Sequence, residues 1–176
     1  MSDLALLLLR AVTGGLLAGH GAQKLFGWFG GNGLQGRAGW LESIGLKPGV
    51  AWAGMAGLGE FGGGVLTLLG LGGPLGSLLA MSSMGMATLK VHGGKPIWAA
   101  EGGAELPVVN IAASTALLLA GPGRYSLDRL FCLRVPTWLG VLTGLGAAVA
   151  VVVGLMMEVE PALEVAAPPL VGEGAA

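Results

Sequence analysis

The chain lacks much of what a soluble redox enzyme or nucleic-acid-binding protein uses. Only 11% of its residues are charged, and it has one cysteine, Cys132. A typical soluble domain is about 25% charged. The single cysteine excludes an intrachain disulfide, a CxxC redox pair and a thiolate metal cage. The net charge of -1 provides no basic field to attract nucleic acid, and any redox chemistry would need a bound small molecule.

Apolar residues and glycine are what the chain has in excess. Hydrophobic residues make up 53% of the 176, and 35 residues are glycine. A water-soluble fold of this size cannot hide that much apolar surface. Lipid can accept it, and glycine is more frequent in membrane helices than in soluble ones. The composition therefore predicts an integral membrane protein in contact with lipid.

Five apolar segments approach the length of about 20 residues that a membrane-spanning helix needs. Their approximate ranges are 4–26, 50–71, 75–91, 103–120 and 137–157. The turn Gly72-Gly73-Pro74 separates the second from the third, because Gly and Pro end one helix and allow another to start. The pattern predicts an all-α, multi-pass membrane protein.

We expect these segments to form three regions. Residues 1–128 are predicted to be a four-helix transmembrane core, residues 129–157 an extra C-terminal transmembrane helix, and residues 158–176 a disordered, acidic Ala/Pro tail. In the fifth helix, Gly140 and Gly144 have a spacing that permits close helix contact. We predict that this helix packs outside the core and mediates homo-oligomer assembly, the alternative being an ordinary glycine-containing span.

Two connections are longer than turns. The segment 27–49 carries Trp28 and Trp40 among spaced leucines, a pattern typical of a short amphipathic helix in the membrane interface. The segment 92–102 is predicted to be a re-entrant or capping loop.

Ionisable residues inside the predicted spans indicate a polar site. A charge near the centre of a spanning helix costs about 2.5–3.5 kcal/mol on insertion scales. Arg10, His20 and Lys24 fall within one stripe about 80° wide on the first helix, and such a stripe must face protein or a wet cavity. Glu60 lies in the middle of the second span among glycines, where we expect a basic neighbour to compensate its charge.

The depths of these groups predict where the site lies. Counted at 1.5 Å per residue from the side of the first long connection, Lys24 is about 3 Å deep, His20 about 9 Å and Glu60 about 15 Å. We predict that His20 faces the interior and contacts Glu60 directly or through one water. The site is expected at this end of the bundle, roofed by segment 27–49, while the other end offers only Arg10. The candidate catalytic residues are His20, Glu60 and Glu105, and the candidate binding residues are His20, Lys24, Glu60, Lys90, His92 and Asn110.

Several of these residues also suit a simpler role. Lys24, Lys90 and His92 lie near helix ends, where long or polar side chains anchor a helix at the membrane surface. Glu105 also suits an interfacial cap. These alternatives stay open from sequence alone.

Metal and haem are not expected. His20 lies about 9 Å deep, whereas His92 lies at or beyond a helix end, so the two do not suit the two axial positions of one haem iron. Met81, Met84 and Met86 are better explained by packing than by a copper site, which would need His or Cys at close spacing.

Five ordered motifs resemble the DoxX family of small prokaryotic membrane proteins. They are HGAQKLFGWFGGNGL at 20–34, GLGEFGGG at 57–64, KVH at 90–92, GGAEL at 102–106 and GPGRYSLD at 121–128. The resemblance implies a four-helix core in the prokaryotic inner membrane. It also implies kinship with the quinone-reducing subunit of a thiosulfate oxidoreductase.

The resulting expectation is a quinone-interacting membrane subunit of an oxidoreductase system. Quinone is the expected cofactor, and a soluble or membrane oxidoreductase partner would supply electrons, since the chain has no dinucleotide-binding motif. The alternative is a small-molecule or proton-coupled transporter, because a buried His/Glu/Lys cluster also suits proton coupling. A membrane scaffold that recruits redox or detoxification enzymes is the third possibility. The sequence leaves the substrate and the direction of electron flow open.

Overall fold

The computed structural model describes residues 2–157, and this part of the chain is α-helical with no β-strand. Its α-helices are α1 (Asp3–Phe26), α2 (Gly33–Ser43), α3 (Gly49–Leu69), α4 (Leu75–Met86), α5 (Glu105–Ala120), α6 (Leu127–Leu130) and α7 (Thr137–Met156). A π-helical segment, Ala87–Val91, continues α4. The all-α prediction is confirmed. The predicted acidic tail lies outside the described residues.

Local sequence explains where the two principal core helices begin and end. The Ser2 side chain accepts a hydrogen bond from the Ala5 N–H at 3.2 Å and caps the start of α1. Gly27 and Gly70 follow α1 and α3 with φ of 73° and 61°. Glycine adopts this left-handed conformation without a side-chain penalty, and it stops each helix at a defined residue.

Four helices form the core of the fold. α1 packs on α3, α3 on α4, α4 on α5, and α5 closes the ring against α1. α2 lies against α1 and α3, while α7 packs against α4 from outside the ring. The fifth apolar helix, α7, therefore lies outside the ring that α1, α3, α4 and α5 form.

A seam of small residues brings α1 and α3 together. A Cβ atom added at Gly14 would lie 2.5 Å from the Leu68 nitrogen, and one added at Gly64 would lie 2.7 Å from the Gly14 oxygen. At Gly21 an added Cβ would collide with the backbone of Phe61. The two backbones are therefore in direct contact, as small residues permit in apolar surroundings. This contact sets one end of α1 beside the middle of α3.

Two of the described helices, α1 and α7, are long and apolar enough to cross a membrane by length and composition. The apolar helices Leu75–Val91 and Glu105–Ala120 are shorter. α3 has 21 residues, but its many glycines make it less apolar. Two of the five predicted spans thus meet the requirement on their own.

The glycine pair of α7 packs within the chain. A Cβ added at Gly140 would lie 3.2 Å from Pro74 Cγ, and one at Gly144 would lie 3.8 Å from Leu78 Cδ2. Both glycines therefore face α4 and are not on the free face of α7. The two glycines thus contact a helix of the same chain, and the role of α7 in homo-oligomer assembly stays a prediction.

The segment 27–49 contains the predicted short helix as α2, but the apolar residues of this helix are not gathered on one face. Its Ala38 and Leu41 are buried and form an apolar cluster with Leu46, Trp52 and Ala53. This cluster fixes α2 over one end of α3.

Candidate functional site

A buried ion pair joins α1 to α3. The Glu60 side chain is 1% exposed, and the Lys24 ammonium donates a hydrogen bond to its Oε1 atom. The Lys24 side chain is 20% exposed, so it connects the buried carboxylate to the surface. The expected compensation of Glu60 by a basic neighbour is confirmed, and that neighbour is Lys24.

Arg37 of α2 is a site residue that the sequence reasoning missed. Its guanidinium carbon lies 4.1 Å from the centroid of the Trp40 ring, a cation–π contact that holds the head group. Burial lowers the pKa of Arg37 and the charge of Glu60 opposes that shift, but a guanidinium stays protonated in proteins. The sequence offered one indication of this role: Arg37 lies in the segment 27–49, which was predicted to be amphipathic and to roof the site.

Two buried polar atoms of this site have no hydrogen-bond partner among the described residues. They are Oε2 of Glu60 and Nε of Arg37. One is an acceptor when the carboxylate is ionised and the other is a donor. Leaving such groups unpaired in an apolar interior is costly, so the pair is suited to a ligand that offers both a donor and an acceptor.

Glu60 and Arg37 line one cavity of about 70 Å³, together with Lys24. Its remaining walls come from α2, α3, α4, the π-helical segment and α7. They are mostly apolar, with Leu41, Trp52, Ala150 and Val151 among them, and Ser82 and Ser83 add two hydroxyl groups. A few polar groups in an apolar cavity is the usual composition of a small-molecule site. The cavity lies at the end of the bundle that the sequence predicted, under the α2 segment.

The prediction that His20 faces the bundle interior is wrong. His20 is exposed, and its Nδ1 atom lies 3.2 Å from Gln23 Oε1. The buried side of α1 is centred near Leu17, and His20 lies at the margin of that face. Lys24, one turn further along, lies closer to its centre and has a longer side chain, so it reaches Glu60 instead.

His92 and Glu105 stabilise a loop and do not line the cavity. His92 Nδ1 lies 2.6 Å from the Gly102 oxygen, and Glu105 Oε2 accepts a hydrogen bond from the Ala99 N–H at 2.9 Å. Both contacts fold the segment between α4 and α5 onto itself. The alternative of a capping role for Glu105 describes this geometry better than a catalytic one.

Lys90 and Asn110 also lie apart from the cavity lining. The Lys90 ammonium donates to the Met157 carbonyl and so fastens the end of the π-helical segment to the end of α7. Asn110 is buried on α5, with Nδ2 3.8 Å from Met84 Sδ. Of the six predicted binding residues, Lys24 and Glu60 line the cavity and the other four do not.

The opposite end of the bundle is more polar than predicted. Arg10 is 2% exposed, and its Nη2 atom donates to the Tyr125 carbonyl. Asp128 is buried and accepts hydrogen bonds from the backbone N–H groups of Gly72 and Gly73 at 2.9 and 2.6 Å. Asp128 is the last residue of the motif at 121–128, and this motif was the feature of the sequence that could have identified it.

Among residues 2–157, no group of three or more His, Cys, Asp or Glu side chains is placed to hold a metal ion.

Comparison with known proteins gives one match. The family model described as DoxX matches residues 5–93, which is just over half of the 176-residue chain. The matched region runs from α1 to the end of the π-helical segment and contains Lys24, Arg37 and Glu60. Searches of curated proteins and of solved structures found no match.

Proposed function

The chain belongs to the DoxX family, and from this premise we propose that it is a multi-pass protein of the prokaryotic inner membrane that binds quinone as a subunit of an oxidoreductase system. Family membership and the two long apolar helices together indicate a membrane protein. The further steps, from membrane protein to quinone-binding subunit, rest on the packing of the core and on the cavity at Glu60.

The packing supports more than two passages through the bilayer. α1 is one of the helices long enough to span, and α3 and α5 pack against it. α7, the other, packs against α4. Helices held beside spanning partners enter the bilayer with them. The outward faces of α3 and α5 carry apolar side chains suited to lipid, among them Leu58, Val109 and Leu119.

One observation carries the assignment of a ligand: Glu60 Oε2 and Arg37 Nε are both buried, unpaired within the described residues, and part of one cavity lining. A quinone presents carbonyl oxygens, which accept hydrogen bonds, and its reduced form presents hydroxyls, which donate them. Arg37 can donate to the first and Glu60 can accept from the second. The donor and acceptor groups of this chain therefore fit both redox forms of the ligand.

The cavity volume limits what enters it. At about 70 Å³ it is smaller than the pockets of about 300–1,000 Å³ that enclose drug-sized ligands. It accommodates the polar part of a head group and not a complete long-chain molecule.

Lys24 and Glu60 would deliver the protons that quinone reduction requires. A quinone takes up two electrons and two protons on reduction. Lys24 is partly exposed and Glu60 is buried behind it, so a proton arriving from solvent can pass from the ammonium to the carboxylate at hydrogen-bond contact. Electrons would come from a soluble or membrane partner that carries its own redox centre.

The direct test compares Glu60→Gln with the wild type in detergent. We expect a short-chain ubiquinone to raise the thermal unfolding midpoint of the wild type. Glu60→Gln keeps the side-chain shape but loses the charge, so its affinity should fall by roughly 10- to 100-fold, the usual value of a hydrogen bond to a charged group. Glu101→Gln, at an exposed loop position, is the matched control and should bind normally. Equal protection of all three proteins would contradict the proposal.

Proton-coupled transport is the second candidate function, because the buried Lys24–Glu60 pair can also bind and release a proton during a transport cycle. Counterflow of a substrate in proteoliposomes that disappears in Glu60→Gln, without any quinone effect on stability, would favour it over the first.

A further inference from the structure

A second polar cavity lies at the other end of the bundle, about 20 Å along α1 from Lys24. It has a volume of about 20 Å³, and Arg10 and Thr67 are among its lining residues. Here α1 and α4 begin and α3 and α5 end. The remaining lining includes Ser77, Gly70 and Gly121.

Three donor atoms of this lining are buried without a hydrogen-bond partner in the described part of the chain. They are Nε and Nη1 of Arg10 and Oγ1 of Thr67. The guanidinium fits tightly, because a Cβ atom at Gly70 would overlap Arg10 Nη1. The sequence thus places a glycine where the head group of Arg10 needs space.

The charge of Arg10 has no counter-ion in direct contact within the described part of the chain. Among residues 2–157, no carboxylate lies within ion-pairing distance of the guanidinium. The nearby Asp128 directs its two oxygens to the N–H groups of Gly72 and Gly73. A buried charge without a paired opposite charge is strongly disfavoured. The Tyr125 carbonyl satisfies one of the donors of Arg10 and leaves its charge uncompensated.

We propose that this cavity binds one small monovalent anion of the chloride type, held by Arg10 and Thr67. Three unpaired donors on the lining residues Arg10 and Thr67, together with a permanent positive charge, favour an anion over a neutral group. A cavity of about 20 Å³ admits one particle close to the size of a water molecule, so phosphate, sulfate and carboxylates are excluded by size. The anion neutralises Arg10 and joins the ends of α1 and α3.

The test measures thermal unfolding of the full-length protein in detergent with sodium chloride, bromide, sulfate or gluconate at matched ionic strength. Chloride and bromide should raise the midpoint in a saturable way, since a ligand that binds the native state stabilises it. Sulfate and gluconate should not. Arg10→Gln should abolish the halide effect. Thr67→Val should raise the half-saturating chloride concentration about tenfold or more, and Thr67→Ser, which restores the hydroxyl, should recover it.

A surface variant distinguishes a buried anion from one bound at the protein surface. Arg134 is an exposed arginine in a surface groove with Arg124 and Arg129, and Arg134→Gln should keep the full halide effect. Loss of the effect in Arg134→Gln would place the anion on the surface and overturn the proposal. Equal stabilisation by all four salts would also overturn it, since the cavity would then hold only water. If Arg10→Gln does not fold, the Thr67 pair and the salt series still decide the question.

Discussion

At the scale of single residues, Lys24 and Glu60 form one ion pair but differ in their exposure to solvent. Glu60 is 1% exposed, and the Lys24 side chain that contacts it is 20% exposed. The carboxylate depends on the ammonium for its charge compensation, while the ammonium retains some solvent. The two residues therefore tolerate substitution differently.

We predict that Lys24→Met destabilises the protein by about 3 kcal/mol, because removing one partner of a buried pair leaves an uncompensated charge. The double variant Lys24→Met/Glu60→Gln should recover much of this loss, since no charge remains to be buried. Unfolding in mixed micelles with increasing SDS measures both free energies. Additive effects of the two substitutions would show that the residues do not interact.

At the scale of helices, α3 presents glycines to different surroundings. Gly64 lies against the backbones of Gly14 and Ala18 in α1. A Cβ built at Gly62, in contrast, would meet no atom within 4 Å from the other described parts of the chain, apart from its own helix backbone. Neighbouring positions in one Gly-Gly-Gly run therefore have opposite tolerance. The first sets the distance between α1 and α3, and the second only weakens the helix.

We predict that Gly64→Ala destabilises the fold by about 2 kcal/mol, because the added methyl must push two backbones apart. Gly62→Ala should be neutral or stabilising by up to about 1 kcal/mol, since alanine is the better helix former. The same micelle titration compares the two. If both substitutions have the same effect, the α1–α3 seam does not depend on close backbone contact.

These helices also show what the sequence could predict. Apolar run lengths and the turn at Gly72-Gly73-Pro74 located the helices well, because these features act locally. Helix depth placed Glu60 nearer to His20 than to Lys24 and so predicted the wrong partner. The partner depends on the rotation of α1 about its axis, which the glycine seam with α3 sets, and on the length of the lysine side chain.

Arg37, His92 and Glu105 illustrate the other limit. Their partners are set by how loops fold back onto the bundle, and a periodic pattern does not carry that information. Arg37 enters the cavity because α2 lies over α3, whereas Glu105 caps the loop at Ala99. Sequence spacing therefore predicted a polar site at the end of the bundle near Lys24, but not which side chains line it, nor that the opposite end is polar as well.

At the scale of the whole molecule, the cavity is built from two parts of the chain. Lys24, Arg37 and Glu60 lie within the region 5–93 that matches the family, while Ala150 and Val151 come from α7. The packing of α7 near this point is close. A Cβ atom at Gly154 would lie 3.0 Å from the Trp52 ring and would collide with Met86. α7 is therefore a wall of the proposed site as well as an outer helix.

We predict that a chain shortened after Arg134 keeps its four-helix core but loses quinone protection, because the cavity loses the α7 wall and Glu60 becomes more accessible to surrounding lipid or detergent. A chain shortened after Met157 retains all the lining residues that the structure describes and is the matched control. Quinone-dependent thermal shifts measure the ligand effect, and size-exclusion chromatography in detergent reports whether assembly changes with it.

Normal quinone protection after removal of α7 would show that the ligand does not use this wall. A change in oligomeric size with quinone protection intact would instead make α7 the assembly element, acting through its free apolar face because Gly140 and Gly144 are already packed against α4.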